Sequence, residues 1–283
     1  MKRIIALFTA VLICVFSLAS CSDKAKGSSS KNAAQVSSTE QIETIKQLVL
    51  VDEKDIKVVT KSITQTKKGK TLSMEVENSS DKAVEVGIIN SSINGYMIPS
   101  DSTVNVDTGE TAYLNAVFDE IKLMNSGITT FAEIELQVSV KDSETGDEII
   151  VTKPYKLKTS AAEGFEYNYD TSGTVAYDNN NIRIIIKDIF VDEYAGQCVN
   201  VFVDNSGEKN ISISLGDTYV NGKKADAMLV SDVLSRKCEV SQIVLENPDG
   251  FGEIKKLKTS FTINDSDTGD VIEAQTDAVT VKF

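Results

Sequence analysis

The sequence predicts an all-β protein built from two β-sandwiches in tandem, preceded by a signal peptide and a flexible tether. Three observations predict it. A long segment occurs twice, its apolar residues alternate with polar ones, and turn-forming residues separate the alternating runs at short intervals. Alternation with a period of two is typical of strands that bury one face.

The N-terminus has a secretory signal pattern, and we expect a signal peptide over residues 1–20. Met1-Lys2-Arg3 is cationic, and Ile4 to Phe16 is apolar except for Thr9. A membrane-spanning helix needs roughly 20 apolar residues, so this run favours a cleaved signal over a transmembrane anchor.

The signal ends in Leu18-Ala19-Ser20-Cys21, which resembles the bacterial lipobox. The resemblance implies that the Cys21 sulfur carries a diacylglyceryl group and that the chain is cut before it. Two acyl chains hold a protein to a membrane where one does not. The implied location is extracytoplasmic, with the lipid anchored in the outer face of the cell membrane.

A polar segment over residues 21–45 predicts a flexible tether. It consists largely of Ser, Lys, Ala and Gly, and it contains too few hydrophobic residues to order itself by burial. Near its end, Ser38 and Gln41 in "STEQIETIKQL" have the spacing of a helical capping box. A short helix and an irregular segment are both compatible with this pattern.

Composition narrows the function classes. The net charge of −13 argues against nucleic acid as a partner, because phosphate binding needs a basic surface. Histidine is absent from the sequence, which excludes Ser-His-Asp and Cys-His catalysis and any zinc site that uses histidine. The 42 acidic residues make some carboxylate pair inevitable, so no pair is informative. We therefore expect a non-enzymatic protein without a cofactor.

The internal repeat defines the two sandwiches. "MEVENSSDKAVEVGIINSSINGY" from Met74 recurs 127 positions later as "VFVDNSGEKNISISLGDTYVNGK", and "IELQVSVKDSETGDEI" from Ile134 recurs 123 positions later as "LKTSFTINDSDTGDVI". Asn94-Gly95 and its counterpart Asn221-Gly222 predict tight hairpin turns, because both residue types tolerate positive φ.

Each copy offers about seven short strands, which suits a sandwich of immunoglobulin-like size. We expect two tandem immunoglobulin-like β-sandwich domains, over residues 46–160 and 175–283. A linker over residues 161–174 joins them.

The motifs "VENSSDK", "INGY", "DTGETAY" and "GITTFAEIELQVSVKD" resemble the immunoglobulin-like domains of surface lipoproteins from low-GC Gram-positive bacteria. They are also similar to mycobacterial immunogenic antigens with a telokin-like sandwich. The resemblance covers Asp52 to Phe283, and the second copy departs from it where "DTGETAY" becomes "VLSRKCE". It implies a fold and a surface location rather than an activity.

The linker carries Phe165, Tyr167 and Tyr169 at alternate positions, so an extended chain places three rings on one face. One interpretation is a stacking platform for a glycan. The favoured interpretation is packing of the rings on a neighbouring domain.

Two further motifs have structural interpretations. "DSETGD" and "DSDTGD" lack the residue order of a calcium-binding EF-hand loop and read as polar hairpin turns, so we expect no metal. Cys198 and Cys238 remain after Cys14, in the signal, and Cys21 are assigned. A disulfide between them and two free thiols are both compatible with the sequence, since their strands neighbour each other in many sandwiches.

The leading function is a lipid-anchored surface protein that presents loops or edge strands to a protein or glycan partner. The alternative is an extracellular carbohydrate-binding accessory lipoprotein that uses the three linker rings. A hydrolase with two carboxylates is the least favoured reading.

Overall fold

The computed structural model describes residues 43–67, 69–192 and 195–283, except for the side chain of Asp249. The predicted signal peptide, Cys21 and most of the predicted tether lie outside these residues. The described residues form one compact unit. We call the strands up to Lys158 the N-terminal half and those from Thr174 onward the C-terminal half.

The described residues of the N-terminal half form ten strands and one short helix. They are β1 (Val49–Glu53), β2 (Ile56–Thr66), β3 (Gly69–Asn78), β4 (Val84–Ile93), β5 (Tyr96–Met97), β6 (Thr103–Val106), β7 (Thr111–Val117), α1 (Glu120–Asn125), β8 (Glu133–Asp142), β9 (Glu148–Val151) and β10 (Tyr155–Lys158).

In the C-terminal half, the residues that the structure describes form thirteen strands and a 3₁₀ turn at Pro248–Phe251. The strands are β11 (Thr174–Asn179), β12 (Ile182–Asp192), β13 (Gly196–Asn205), β14 (Ile211–Leu215), β15 (Tyr219–Val220), β16 (Lys223–Lys224), β17 (Ala227–Met228), β18 (Ser231–Val233), β19 (Lys237–Leu245), β20 (Lys256–Thr259), β21 (Phe261–Asp265), β22 (Val271–Glu273) and β23 (Val279–Lys282).

These strands form an all-β, immunoglobulin-like sandwich architecture, as the sequence predicts. One sheet has the order β1-β2-β3-β7. In an eleven-stranded sheet, eight strands follow the path β10-β8-β4-β5-β19-β13-β12-β11, and β6, β9 and β17 pair beside this path with β4, β8 and β19. Two smaller sheets, β18-β14-β21-β22 and β16-β15-β20-β23, complete the C-terminal half. The strands are more numerous than the roughly seven per copy that the sequence predicts, because short strands such as β5, β15 and β16 form at the Asn-Gly turns.

Apolar alternation places the core as predicted. Ile134, Leu136, Val138 and Val140 of β8 are all buried, whereas the polar residues between Ile134 and Val138 are only partly buried. Both Asn-Gly turns are present, with φ of 52° at Asn94 and 51° at Asn221, and each closes a hairpin. These predictions are confirmed.

Two corresponding strands, β3 and β13, each end at a buried asparagine. Asn78 closes β3 and donates from Nδ2 to the carbonyl oxygens of Lys82 and Val106. Asn205, 127 positions later, closes β13 and donates to those of Lys209 and Val233, also 127 positions later. A buried amide with its donors satisfied fixes the turn that follows each strand.

The chain joins the N-terminal half from Glu43 onward. The Glu43 carboxylate is buried and accepts hydrogen bonds from Lys70 Nζ, at 2.6 Å, and from Phe131 N, at 2.9 Å. Ile45 forms an isolated bridge with Thr159. Residues 43–48 of the "STEQIETIKQL" segment are described, and none of them is helical. Ser38 and Gln41, which have the capping-box spacing, lie outside the described residues.

Candidate functional site at the junction of the two halves

The two halves share one apolar cluster. Ile185, Phe202, Cys238 and Val240 belong to the C-terminal half, yet they are buried in the same cluster as the core of the N-terminal half. In return, Met97 of the N-terminal half packs on the core of the other half. The junction is therefore apolar and packed, not a flexible hinge.

A backbone connection crosses the same junction. Tyr96 of β5 pairs with Cys238 of β19 in parallel, and Cys238 N donates to the carbonyl oxygen of Gly95 at 3.1 Å. This pairing joins the strands of the two halves into the eleven-stranded sheet.

The Asn94 side chain positions the turn that makes this connection. Its Oδ1 accepts from the backbone N–H groups of Ala132 and Glu133, and its Nδ2 donates to the carbonyl oxygen of Thr130 at 2.7 Å. The turn is therefore held to the N-terminal half while its backbone is bound by β19.

The three linker rings come together at this junction. Ring centroids of Phe165 and Tyr167 are 6.3 Å apart, and those of Tyr167 and Tyr169 are 5.5 Å apart. Tyr96 lies within 5.5 Å of both tyrosines, and its centroid is 6.0 Å from that of Phe202. Edge-to-face and offset pairs of this kind stabilise by about 0.5–1.5 kcal/mol each beyond area burial.

The linker hydroxyls are engaged with backbone carbonyls. Tyr167 donates to the carbonyl oxygen of Ser126, and Tyr169 donates to that of Asn94 at 3.3 Å. Burial raises the pKa of Tyr169 to about 12 and also raises that of Tyr96. The rings thus stay neutral and serve as packing elements, which favours the interpretation of the linker as a packed segment.

Two sets of ion pairs link β19 to the N-terminal half. Lys237 of β19 is only 8% exposed, and its Nζ lies 2.9 Å from Glu135 Oε2 of β8. Lys156 Nζ lies 3.1 Å from the same oxygen. In the second set, Lys122 of α1 pairs with Glu239 of β19, whose second carboxylate oxygen accepts from Ser231 Oγ.

The disulfide that the sequence left open is not formed. Cys198 and Cys238 are free and buried. Their strands are neighbours, but Cys238 lies opposite Asp204, six residues along β13 from Cys198. At about 3.3 Å per residue the thiols are roughly 20 Å apart, far beyond the Cα separation that a disulfide spans. Burial raises the pKa of both thiols.

The two acidic hairpins are closed by their own residues. Asp142 Oδ1 accepts from the N–H groups of Glu144 and Thr145, and Asp265 Oδ1 accepts from those of Asp267 and Thr268. The ammonium group of Lys82, together with these backbone donors, lowers the pKa of Asp142 to about 2. Within the described part of the chain, no group of three or more His, Cys, Asp or Glu side chains is arranged to hold a metal.

A groove of about 300 Å³ opens beside the junction, between α1 and strands β17 and β19. We call it the α1 groove. Its lining includes Ile121 from α1, Met228 and Val230 from the segment around β17, and Val240 and Val244 from β19. Met228 and Val230 are 60% and 69% exposed. The groove was not visible in the sequence, because its two walls lie more than 100 positions apart along the chain.

No family model matches the chain, and no curated protein matches it either. Among solved structures, it is similar to the YadV chaperone at 13% identity, covering 81% of this chain and all of that one, with a TM-score of 0.23. A complex of the Salmonella enterica SafA pilin with the SafB chaperone matches at 10% identity over 75% of this chain and 89% of that one, with a TM-score of 0.19.

A protein of unknown function from Porphyromonas gingivalis W83 matches at 11% identity over 86% of this chain and 99% of that one, with a TM-score of 0.20. Likenesses at these TM-scores assign neither a family nor a function to the chain. Among the residues described, no helix has the length and hydrophobicity needed to span a lipid bilayer.

Proposed function

We propose that this protein is a non-enzymatic, lipid-anchored binding protein on the outer face of the cell membrane. The observation that carries the proposal is the packed junction, in which an apolar cluster and two sets of ion pairs join the halves. An exposed apolar groove marks a surface that can bind a partner. Because the halves are packed together, the protein loses little conformational freedom when a partner binds. The absence of histidine from the sequence supports a role without acid–base or nucleophilic chemistry of the Ser-His-Asp type.

The anchor in this proposal is Cys21, supported by the lipobox-like sequence before it. Residues from 22 onward lift two sandwich domains, residues 46–160 and 175–283, away from the bilayer. The linker of residues 161–174 is then part of the contact between the domains, consistent with the packing of its rings.

Cell fractionation with a Cys21→Ser variant tests the proposal. The native protein is expected in the membrane fraction with a diacylated N-terminal cysteine by mass spectrometry, and the variant is expected in the soluble fraction. Crosslinking of intact cells should then recover an envelope protein with the native chain. An unmodified, soluble native chain, or crosslinks no richer than those of an unrelated lipoprotein, would contradict it.

Glycan binding through Phe165, Tyr167 and Tyr169 is the second candidate. One observation favours it: the rings of Phe165 and Tyr167 lie within 18° of parallel, and that of Tyr169 is 44% exposed. Glycan-array binding that is lost when all three are replaced by alanine would support this candidate. Equal binding by the two proteins would remove it.

A further inference from the structure

From the lining of the α1 groove and the charges around it, we infer that the groove binds a cationic amphipathic segment of a partner protein. The inference rests on the proposed binding function, for which it names the chemistry of the partner.

The apolar wall of the groove is exposed on both sides. Ile121 of α1 is 40% exposed, and Met228 and Val230 line the groove from the C-terminal half. Side chains of this size are normally buried, and a cluster of them at one groove marks an interaction surface. Methionine adapts its shape to irregular apolar partners.

Most of the charges near the groove are negative. Asp119 lines the groove, Glu120, Asp226 and Asp232 lie within two positions of lining residues along the chain, and all four are exposed. Among the described residues that line the groove, Lys122 is the only basic one, and it pairs with Glu239. A segment that covers the apolar wall therefore meets carboxylates at its edges, and basic flanks complement them.

The same charges disfavour a second copy of this chain as the occupant. Two such grooves placed face to face would bring the four carboxylates of each copy together. Like charges opposed across an interface disfavour association. A partner with lysine or arginine beside its apolar stripe has no such cost.

One polar group in the groove also fits a peptide. Gln242 lines the groove, and its Nε2 is buried without a hydrogen-bond partner among the described residues. An unpaired buried amide donor is unfavourable. Rotation of the Gln242 side chain into the groove would let this donor bind a backbone carbonyl oxygen of a bound segment.

The test measures binding of a defined peptide to the full, lipid-anchored chain in phosphatidylcholine vesicles, with protein-free vesicles as the blank. The probe is a fluorescent helical peptide of about three turns with a leucine stripe and lysine flanks. A matched probe carries glutamate in place of lysine. The lysine probe is expected to bind, and the glutamate probe is not.

Two pairs of substitutions localise the binding. Met228→Ser with Val230→Ser removes exposed apolar surface and should weaken binding by at least about tenfold. The control is Val191→Ser with Val271→Ser, residues equally exposed elsewhere on the C-terminal half, and it should change binding by no more than about twofold. Asp226→Asn with Asp232→Asn should weaken binding and flatten its dependence on salt.

The unfolding midpoints of the three variants should match that of the native chain, since all six positions are exposed. Failure of the lysine probe to bind, equal binding of both probes, or unchanged binding by the Met228→Ser, Val230→Ser variant would overturn the inference. So would self-association that this variant abolishes. None of these results depends on the fractionation of the Cys21→Ser variant. The proposal of a lipid-anchored protein is therefore tested independently of the groove.

Discussion

The Tyr169 hydroxyl lies where a side chain on Gly95 would begin. A Cβ added to Gly95 would approach the Tyr169 oxygen to 2.5 Å, and the Gly95 carbonyl oxygen accepts a hydrogen bond from Cys238 N. One glycine therefore allows the linker and β19 to meet at the same turn.

Gly95→Ala is expected to destabilise the protein more than Gly222→Ala. Both glycines have positive φ, +89° and +85°, but nothing lies within 4 Å of a Cβ at Gly222. The difference should be about 1–3 kcal/mol, the usual cost of overpacking. Urea unfolding measures it. Tyr169→Phe should remove most of the difference, and a difference that persists in that background would contradict the close contact.

Replacing Glu135 by glutamine should destabilise the junction by about 3 kcal/mol at neutral pH, because Lys237 is left buried without its partner. Glu133→Gln is the matched control. It lies 3.7 Å from the exposed Lys156, so its loss should cost less than about 1 kcal/mol. Equal effects of the two substitutions in urea unfolding would contradict this account of the junction.

The Glu135 contribution should also depend on pH. Burial raises the pKa of Glu135, but Lys237 and Lys156 together lower the pKa by more than burial raises it. The pKa in the folded state therefore lies below the ordinary 4.5. A depressed pKa stabilises the folded state above 4.5, and this stabilisation is lost as pH falls through the folded-state value. The difference in unfolding free energy between native and Glu135→Gln proteins should therefore shrink in acid. A constant difference from pH 7 to acid would contradict it.

Cys198 and Cys238 should resist alkylation in the native protein and react fully in denaturant without a reductant. Both thiols are buried, and burial raises their pKa, which lowers the thiolate fraction that reacts. Peptide mass mapping after iodoacetamide treatment measures this. A peptide pair linked through Cys198 and Cys238 would show that the strand register given above is wrong.

Alanine at Asn78 or Asn205 should cost about 2–3 kcal/mol each, because each change leaves buried carbonyl oxygens without donors. Asn168→Ala, at an exposed linker position, is the control and should change stability by less than about 0.5 kcal/mol. Thermal unfolding followed by calorimetry checks all three. A small effect at Asn205 alone would mean that the turn after β13 is not held as its counterpart after β3 is.

The strands, their buried faces and the Asn-Gly turns could be predicted because each depends on residues close together in the chain. The junction could not be predicted, because its residues are far apart in the chain. Phe202 and Cys198 occupy positions of β13 that face away from the core of their own half, where alternation predicts exposure, yet both are buried. For Phe202, the covering surface comes from the N-terminal half and the linker.

The linker rings were a visible signal, and their favoured interpretation as packing residues agrees with their contacts with Tyr96 and Phe202. The α1 groove had no such signal. The distance between Cys198 and Cys238 depends on the register between β13 and β19. Alternation within one strand tells which face a residue is on, but it does not tell which residue lies opposite it on the next strand.

Residual dipolar couplings measured on the full chain carrying Cys21→Ser test the central claim most directly, namely that the two halves form one rigid body. A single alignment tensor should fit the backbone couplings of both halves, because the apolar cluster and the ion pairs hold them together. Separate tensors of different magnitude for residues 46–160 and 175–283 would show that the halves move independently, and would contradict it.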